Sequence, residues 1–532
     1  MKNVELLARM LADNGVRWIF GIPSGPVLPL IQALRGSGVE YVLTASETSA
    51  GFMATVVAQL SGAAGACVAT LGPGATNLAT GIGAAWLDRS PVLALTCNVP
   101  EAWLERRIQM RIDHHALFRP LTKGTFGLRA DNVGRSLAQA LSLACAEPPG
   151  PVHLDLPEDV GVASAIDGSV PPPQRSGGLP DVGDEVARRL SEALAASRRP
   201  LLVTGLSTMR SQAAQPLISF VERQNLPFVS TLHAKGFLPE SHPNWAGVIG
   251  RARRSDVQAF VGQADLIVAV GYDPIEINYE EWVGTTPVVH VDTEMADVGP
   301  EVTMLLNAAG DLDRAIERMA GLPPMPNDWS PADFAAHRRA LDAALRPGCE
   351  SLGPHHVLDV LRELLPPDGI LAYDVGAHTH QIATQWRTDR PLSCISTNGW
   401  SSMGFGMPAA YAAKLVQPEQ AVVGVVGDGC FQMTAGEVAT ARRLKLGVPI
   451  VVLNDGWLAL IKVKQERKAY ELDGVYLGDP PPPPAHYFGV PCRPARDADE
   501  LRAALDWGLN LGGPSVIEAF VDVEPYSKTV YD

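Results

Sequence analysis

The chain has 532 residues and is 46% hydrophobic, enough for several domains of ordinary size with sizeable cores. Its formal net charge of −15 argues against nucleic acid and anionic membrane as main partners, though it says little about a small anionic substrate. No apolar run approaches membrane-spanning length, the N-terminus leads straight into an amphipathic helix, and the seven cysteines are scattered without metal spacing, so a reduced cytoplasmic protein is expected.

In chain order, residues 1–165 alternate helix and strand. VELLARMLADNG is a helix and WIFG a strand; YVLTAS is followed by the helix SAGFMATVVAQLSG, and AGACVATLG by a glycine-rich turn and PVLALTCNV. That alternation predicts an α/β domain with a mainly parallel sheet. Glu47 opens the helix after YVLTAS, where a carboxylate is favoured by the helix dipole, so simple capping is one role open to it. Downstream, Gln109-Met110-Arg111-Ile112-Asp113-His114-His115 brings two histidines to a helix start, where ordinary polar contacts and a catalytic role are both open. Residues 164–185 are rich in Pro, Gly and Ser and are expected to form a linker.

Residues 186–325 repeat the alternation in a Rossmann-like pattern without a full GxGxxG, and a purely structural domain is expected. Arg251, Arg253 and Arg254 are able to meet a nucleotide or acyl-CoA phosphate, but arginines on a loop are commonly solvated. A second proline-rich crossing over 321–352, with a helix inside it, leads to a third α/β unit over 350–532. It includes the strand GILAYDVG, the turn Trp400-Ser401-Ser402-Met403-Gly404-Phe405-Gly406 and the strand AVVGVVGDG. The expected fold is therefore three doubly wound α/β domains with mainly parallel sheets.

The third unit carries the strongest chemical signal. The strand AVVGVVGDG, the helix FQMTAGEVATARRLKLG and the strand VPIVVLN place Asp428 and Asp455 at the carboxyl ends of two parallel strands, where open α/β sheets bind ligands. Two carboxylates there repel each other unless a cation lies between them, and oxygen ligands suit Mg²⁺ shared with phosphate. Gly429 lets backbone approach a ligand closely, and the helix N-terminus after it offers N–H groups to a diphosphate.

The Gly427-Asp428-Gly429-Cys430 stretch, just under thirty residues before Asn454-Asp455, resembles the signature of thiamine-diphosphate (ThDP) enzymes. Strand, Glu47, helix, strand and then Gly72-Pro73-Gly74-Ala75-Thr76-Asn77 resembles the pyrimidine-binding domain of the acetolactate-synthase-like group. The likeness spans nearly the whole chain in the order pyrimidine, central and diphosphate domain. It implies that Glu47 bonds the aminopyrimidine ring nitrogen and drives proton removal from thiazolium C2, with Gly74 and Asn77 nearby. It further implies that Met403 wedges between the cofactor rings, that the Ser401 carbonyl faces the 4′-amino group, and that Gly376 and His378 contact the diphosphate. Core packing for Met403 and a surface position for His378 are the bland alternatives. Mg²⁺ would be held by Asp428, Asp455 and the Trp457 carbonyl, with Gly427, Gly429, Cys430 and Leu458 completing the cofactor contacts; Cys430 is expected to pack or donate rather than act as nucleophile.

Two departures bear on the reaction. The family's active-site glutamine falls at Met110 here, with Gln109 one place early, so either Gln109 serves or the polar group is lost; His114 and His115 are the other candidates facing substrate. After the cradle, LALIKVKQERKAYELDGVYLGD is expected to form the helix that covers the site; in it Ile461 stands where pyruvate decarboxylases carry a glutamate, and an apolar lid favours carboligation over aldehyde release. Gly271-Tyr272-Asp273-Pro274-Ile275-Glu276 resembles the FAD-independent synthases, so FAD is not expected. The resemblance thus implies a ThDP- and Mg²⁺-dependent enzyme that decarboxylates a 2-oxo acid and joins the product to a second carbonyl. It would work as a homodimer or homotetramer with active sites at the subunit interface. The alternatives are a non-oxidative decarboxylase of the benzoylformate or pyruvate kind, a 2-hydroxyacyl-CoA lyase, a catalytically silent ThDP-binding relative and an NAD(P) dehydrogenase.

Overall fold

The computed structural model describes residues 1–166 and 178–530. Part of the linker read over 164–185 lies outside the described residues, as does the end of the third domain at 531–532.

Three sheets, one after another along the chain, carry the architecture. The first has spatial order Glu40–Leu43, Trp18–Gly21, Gly65–Ala69, Val92–Asn98, Val152–Pro157, Thr125–Gly127, with every pairing parallel. The second runs Met304–Ala309, Val288–Asp292, Leu266–Val270, Pro200–Thr204, Phe228–Ser230, Trp245–Val248, again all parallel. The third runs Cys394–Ile395, Ile370–Tyr373, Val422–Gly427, Pro449–Asn454, Ser515–Phe520, Val490–Ala495, His486–Tyr487, and only its last pair is antiparallel. The α/β arrangement with mainly parallel sheets is as the sequence predicts. Central strands such as LIVAV and VVGVVG are buried on both faces, which is why they read as continuous apolar runs.

The first and third domains share one apolar core. The Glu47–Ser61 helix packs on the Gly406–Val416 helix, with the Phe52 and Phe405 rings 5.4 Å apart edge to face. It also lies against the Pro73–Leu87 helix so closely that a Cβ on Gly81 would come within 2.7 Å of Gly51 Cα. No helix among the described residues is long and apolar enough to cross a membrane.

Two helices differ from their sequence reading. FQMTAGEVATARRLKLG divides into Asp428–Thr434 and Glu437–Leu444, because Glu437 turns back to the first domain: its Oε1 accepts from the Ala45 and Ser46 amides at 2.9 and 3.2 Å. The helix expected from Leu458 onward stops at Arg467, where the Lys468 and Ala469 amides close the last turn and the Tyr470 amide bonds back to Gln465.

Candidate active site

The Val422–Gly427 and Pro449–Asn454 strands pair in parallel, and their carboxyl ends deliver Asp428 and Asp455 to one cavity of about 220 Å³. Val375–His378, Ser401, Met403, Gly427–Cys430, Trp457 and Leu458 line the same cavity, so the third domain alone brings together every cofactor residue expected from it. Burial raises the Asp428 carboxyl to about 6, even though its oxygens accept from the Gly429 amide at 2.7 Å and the Gly456 amide at 2.8 Å. Burial, and then the Asp428 charge, push Asp455 well above its ordinary value. Two desolvated acids in that relation are destabilised as anions until a cation joins them.

The cavity fits a metal-bound diphosphate. His378 is buried, its Nε2 has no hydrogen-bond partner, and burial lowers it to about 4, leaving a neutral imidazole able to donate or accept. A Cβ on Gly429 would meet Leu458 Cδ2 at 2.8 Å and Met403 Cε at 3.3 Å, so glycine leaves both side chains undisturbed against the cavity. Cys430 donates its thiol to the Val375 carbonyl at 3.1 Å, and burial raises its pKa, which fits the packing role. The Trp457 and Tyr476 rings lie 4.6 Å apart, tilted by 43°, and the Trp457 amide donates to Asp455 at 2.9 Å.

Asp374 was not singled out by the sequence. It is fully buried at the end of the Ile370–Tyr373 strand and accepts from the amides of Val375, Gly404 and Gly406 at 2.8, 2.9 and 2.8 Å. It therefore fixes the turn that presents Met403, aided by the positive φ of Ser401 and Gly404. The available signal was an acid at a strand end immediately before Val375-Gly376.

Glu47 begins its helix as predicted, with Ser46 as the cap. It is buried and accepts from Asn77 Nδ2 at 3.2 Å, and a Cβ on Gly74 would approach its Oε1 to 3.2 Å. Glu47, Gly74 and Asn77 form one cluster, but none of them lines the Asp428–Asp455 cavity of the same chain.

The two histidines diverge. His114 is buried; its Nδ1 meets Asp155 at 2.9 Å and its Nε2 accepts from the Gly72 amide at 3.3 Å. Burial disfavours the Asp155 charge, but the His114 hydrogen bond and charge outweigh it and hold Asp155 at about 2. With both ring nitrogens hydrogen-bonded, His114 anchors the Gly72–Gly74 turn beside Glu47. His115 turns to His153, their rings 5.6 Å apart, and to Gly127. Gln109 is exposed, and the loop it belongs to crosses Gly72 so tightly that a Cβ there would lie 2.4 Å from the Met110 carbonyl. Gly72 has φ of 62°, a second reason for glycine at that position.

Comparison with known proteins gives three matches along the chain. Residues 1–117 match the thiamine pyrophosphate enzyme N-terminal TPP binding domain, 187–319 the central domain and 374–519 the C-terminal TPP binding domain of that family. The acetolactate synthase of Mycobacterium bovis is 31% identical over 478 residues, covering 87% of this chain and 77% of that protein. The acetolactate synthase isozyme 2 large subunit of Escherichia coli is 30% identical over 538 residues, covering 98% and 96%. A probable acetolactate synthase large subunit of Methanocaldococcus jannaschii is 29% identical over 544 residues, covering 98% and 92%.

Proposed function

This chain belongs to the thiamine-diphosphate enzyme family, in its acetolactate-synthase-like group, as a ThDP-dependent decarboxylase/carboligase, and from that premise we propose that it decarboxylates a 2-oxo acid and joins the remaining acyl unit to a second carbonyl with Mg²⁺ as its metal. The observation that carries the metal and site assignment is the pair Asp428 and Asp455, facing one cavity together with the unpartnered His378 nitrogen.

ThDP, when bound, supplies the electron sink that loss of CO₂ from a 2-oxo acid requires. Asp428 and Asp455 would hold the cation, and the Gly427–Cys430 turn and His378 would meet the diphosphate. Asp374 fixes the Met403 turn that would set the ring geometry. Glu47 would hold and move the proton at the aminopyrimidine nitrogen, in a buried position that Asn77 and the His114-anchored Gly72 turn keep in place. Leu460 and Ile461 bring no acid to their side of the cavity, away from the Asp428–Asp455 pair that would hold the metal, which limits protonation by the lid and favours capture by a second carbonyl over release of an aldehyde.

The separation of Glu47 from the Asp428–Asp455 cavity supports a homo-oligomer in which one copy supplies Glu47 and another the cradle. We further propose that the central domain carries no FAD. At the carboxyl ends of its Pro200–Thr204 and Phe228–Ser230 strands, Glu276 already accepts from the Leu206 and His233 amides at 2.9 and 3.1 Å, donors a nucleotide phosphate would need. The test is a panel of 2-oxo acids with ThDP and Mg²⁺, with CO₂ and coupled product followed separately. CO₂ with a coupled product in near-equal amounts is expected; CO₂ with free aldehyde alone would assign the decarboxylase alternative.

A further inference from the structure

Two adjacent strands of the first sheet carry a buried polar network. Thr96 and Asn98 on Val92–Asn98, like His153 and Asp155 on Val152–Pro157, are two residues apart and so share a face, with Thr96 opposite Asp155 in the parallel register. All four are buried, as is His114, which meets them from the start of the His114–Phe118 helix.

The proton positions follow from one fixed donor. The Gly72 amide can only donate, so His114 Nε2, at 3.3 Å, accepts and carries no proton. His114 Nδ1 then holds the ring proton and donates to Asp155 Oδ1 at 2.9 Å. Thr96 gives its one hydroxyl proton to the same oxygen at 2.6 Å, and therefore accepts from His153 Nε2 at 2.7 Å. Asn98 Nδ2 donates to Asp155 Oδ2 at 2.8 Å, and its 3.3 Å approach to His114 Nδ1 is that of two donors converging on one carboxylate. Asp155 thus receives three donors as an anion. The ligand-capable atoms of His114, His153 and Asp155 lie within 4.8 Å of one another, but each is already hydrogen-bonded, so the cluster orders protons rather than holding a metal. Gly72 in turn caps the Pro73–Leu87 helix, whose first turns set Gly74 and Asn77 against the Glu47 carboxylate.

We propose that Asp155 is a positioning residue for Glu47: it fixes which His114 nitrogen carries the proton, and the unprotonated Nε2 holds the Gly72–Gly74 turn, and with it Asn77, against the Glu47 carboxylate. The inference rests on the ThDP reading, which gives Glu47 its work. Asp155→Asn keeps the size of the side chain but not its two acceptor oxygens. Its new N–H group meets donors on either side, His114 Nδ1–H and the Thr96 hydroxyl on one and Asn98 Nδ2 on the other. The conflict is relieved when the His114 proton moves to Nε2, where it opposes the Gly72 amide.

The test reads tautomer and turnover separately in the ThDP–Mg²⁺ holoenzyme. Nitrogen NMR of histidine-labelled protein, with the His114 signals identified by their loss in His114→Gln, should show Nδ1–H in the wild type and Nε2–H in Asp155→Asn. The same variant should lower kcat for CO₂ release by roughly tenfold to a hundredfold, with KM and ThDP binding little changed. In His114→Gln the amide oxygen accepts the Gly72 proton whatever stands at 155. Whatever turnover that variant retains, adding Asp155→Asn should therefore cost it less than about threefold more. A His114 tautomer that is Nε2–H in the wild type or unchanged in Asp155→Asn would overturn this inference alone. So would an equal loss in both backgrounds, or a His114→Gln protein that binds ThDP yet releases no CO₂. No CO₂ from the wild type with any 2-oxo acid would overturn the functional reading and, with it, the part Glu47 plays here.

Discussion

Glu47 and Asp428 make opposite demands on the same assay. Glu47→Gln keeps a group of the same size that accepts from Asn77, so ThDP should still bind with Mg²⁺ while turnover falls by roughly a hundredfold or more, the size of a lost general acid–base step. Calorimetric ThDP binding beside CO₂ release separates the two, and undiminished turnover would reject the role. Asp428→Ala should instead abolish the Mg²⁺-dependent part of ThDP binding, and affinity that is equal with and without Mg²⁺ in wild type and variant alike would remove the cradle. These residues were legible because their chemistry fixes local sequence: an acid after a strand, glycines where a side chain would collide. Partners were not. Nothing local to His114 announces Asp155, which lies 41 residues away, or the Gly72 amide.

At the scale of elements, the turn from Asn398 to Gly406 depends on one buried carboxylate from another strand. Asp374→Ala would leave the Val375, Gly404 and Gly406 amides without their acceptor, a loss of roughly 2–4 kcal/mol that a urea titration reads directly. The helix pair beneath Glu47 gives a second test. A methyl on Gly81 meets Gly51 Cα at 2.7 Å and the Thr48 carbonyl at 2.7 Å, backbone on both sides, so Gly81→Ala should cost roughly 1–3 kcal/mol and displace the first turn of the Glu47 helix. Lower turnover with lower stability is expected; an unchanged midpoint would mean that the helices part freely. The sequence showed the helices by their apolar periodicity but not this crossing. It also ran the helix after Asp428 through Ala435 and Gly436, because the force that ends it, Glu437 binding the Ala45 and Ser46 amides, acts between domains.

At the scale of the molecule, the three domains meet at a buried charge cluster: Asp88 of the first, His233 and Glu276 of the second, and the Asn398 and Gly399 amides of the third. Burial opposes protonation of His233, but Asp88 and Glu276 outweigh it and raise the imidazole to about 9. A histidine raised on folding stabilises fully below its unfolded value of 6.5, and that contribution is lost as pH climbs toward 9. Melting temperature should therefore fall between pH 6.5 and 9, and His233→Gln should flatten that slope. The alternation of strands and helices made three parallel-sheet domains legible, but not how they lock together, since each contact at the cluster joins residues distant in sequence.

The last question at this scale is which copy of Glu47 serves which Asp428. The two lie in separate surroundings on one chain, so the proposed site needs Glu47 from one copy and the cradle from another. Mixing inactive Glu47→Gln with inactive Asp428→Ala under conditions that exchange subunits then has a defined result. In a dimer of the proposed kind, half the mixed population would carry one chain of each variant. One of the two sites in such a dimer would take both lesions and the other neither, so activity should recover to about a quarter of wild type. If each chain instead completed its own site, every site in the mixture would keep one lesion and no activity would return. Recovery that rises with exchange time, measured as CO₂ release, would establish the shared site; silence after verified exchange would place both halves of the chemistry within a single chain.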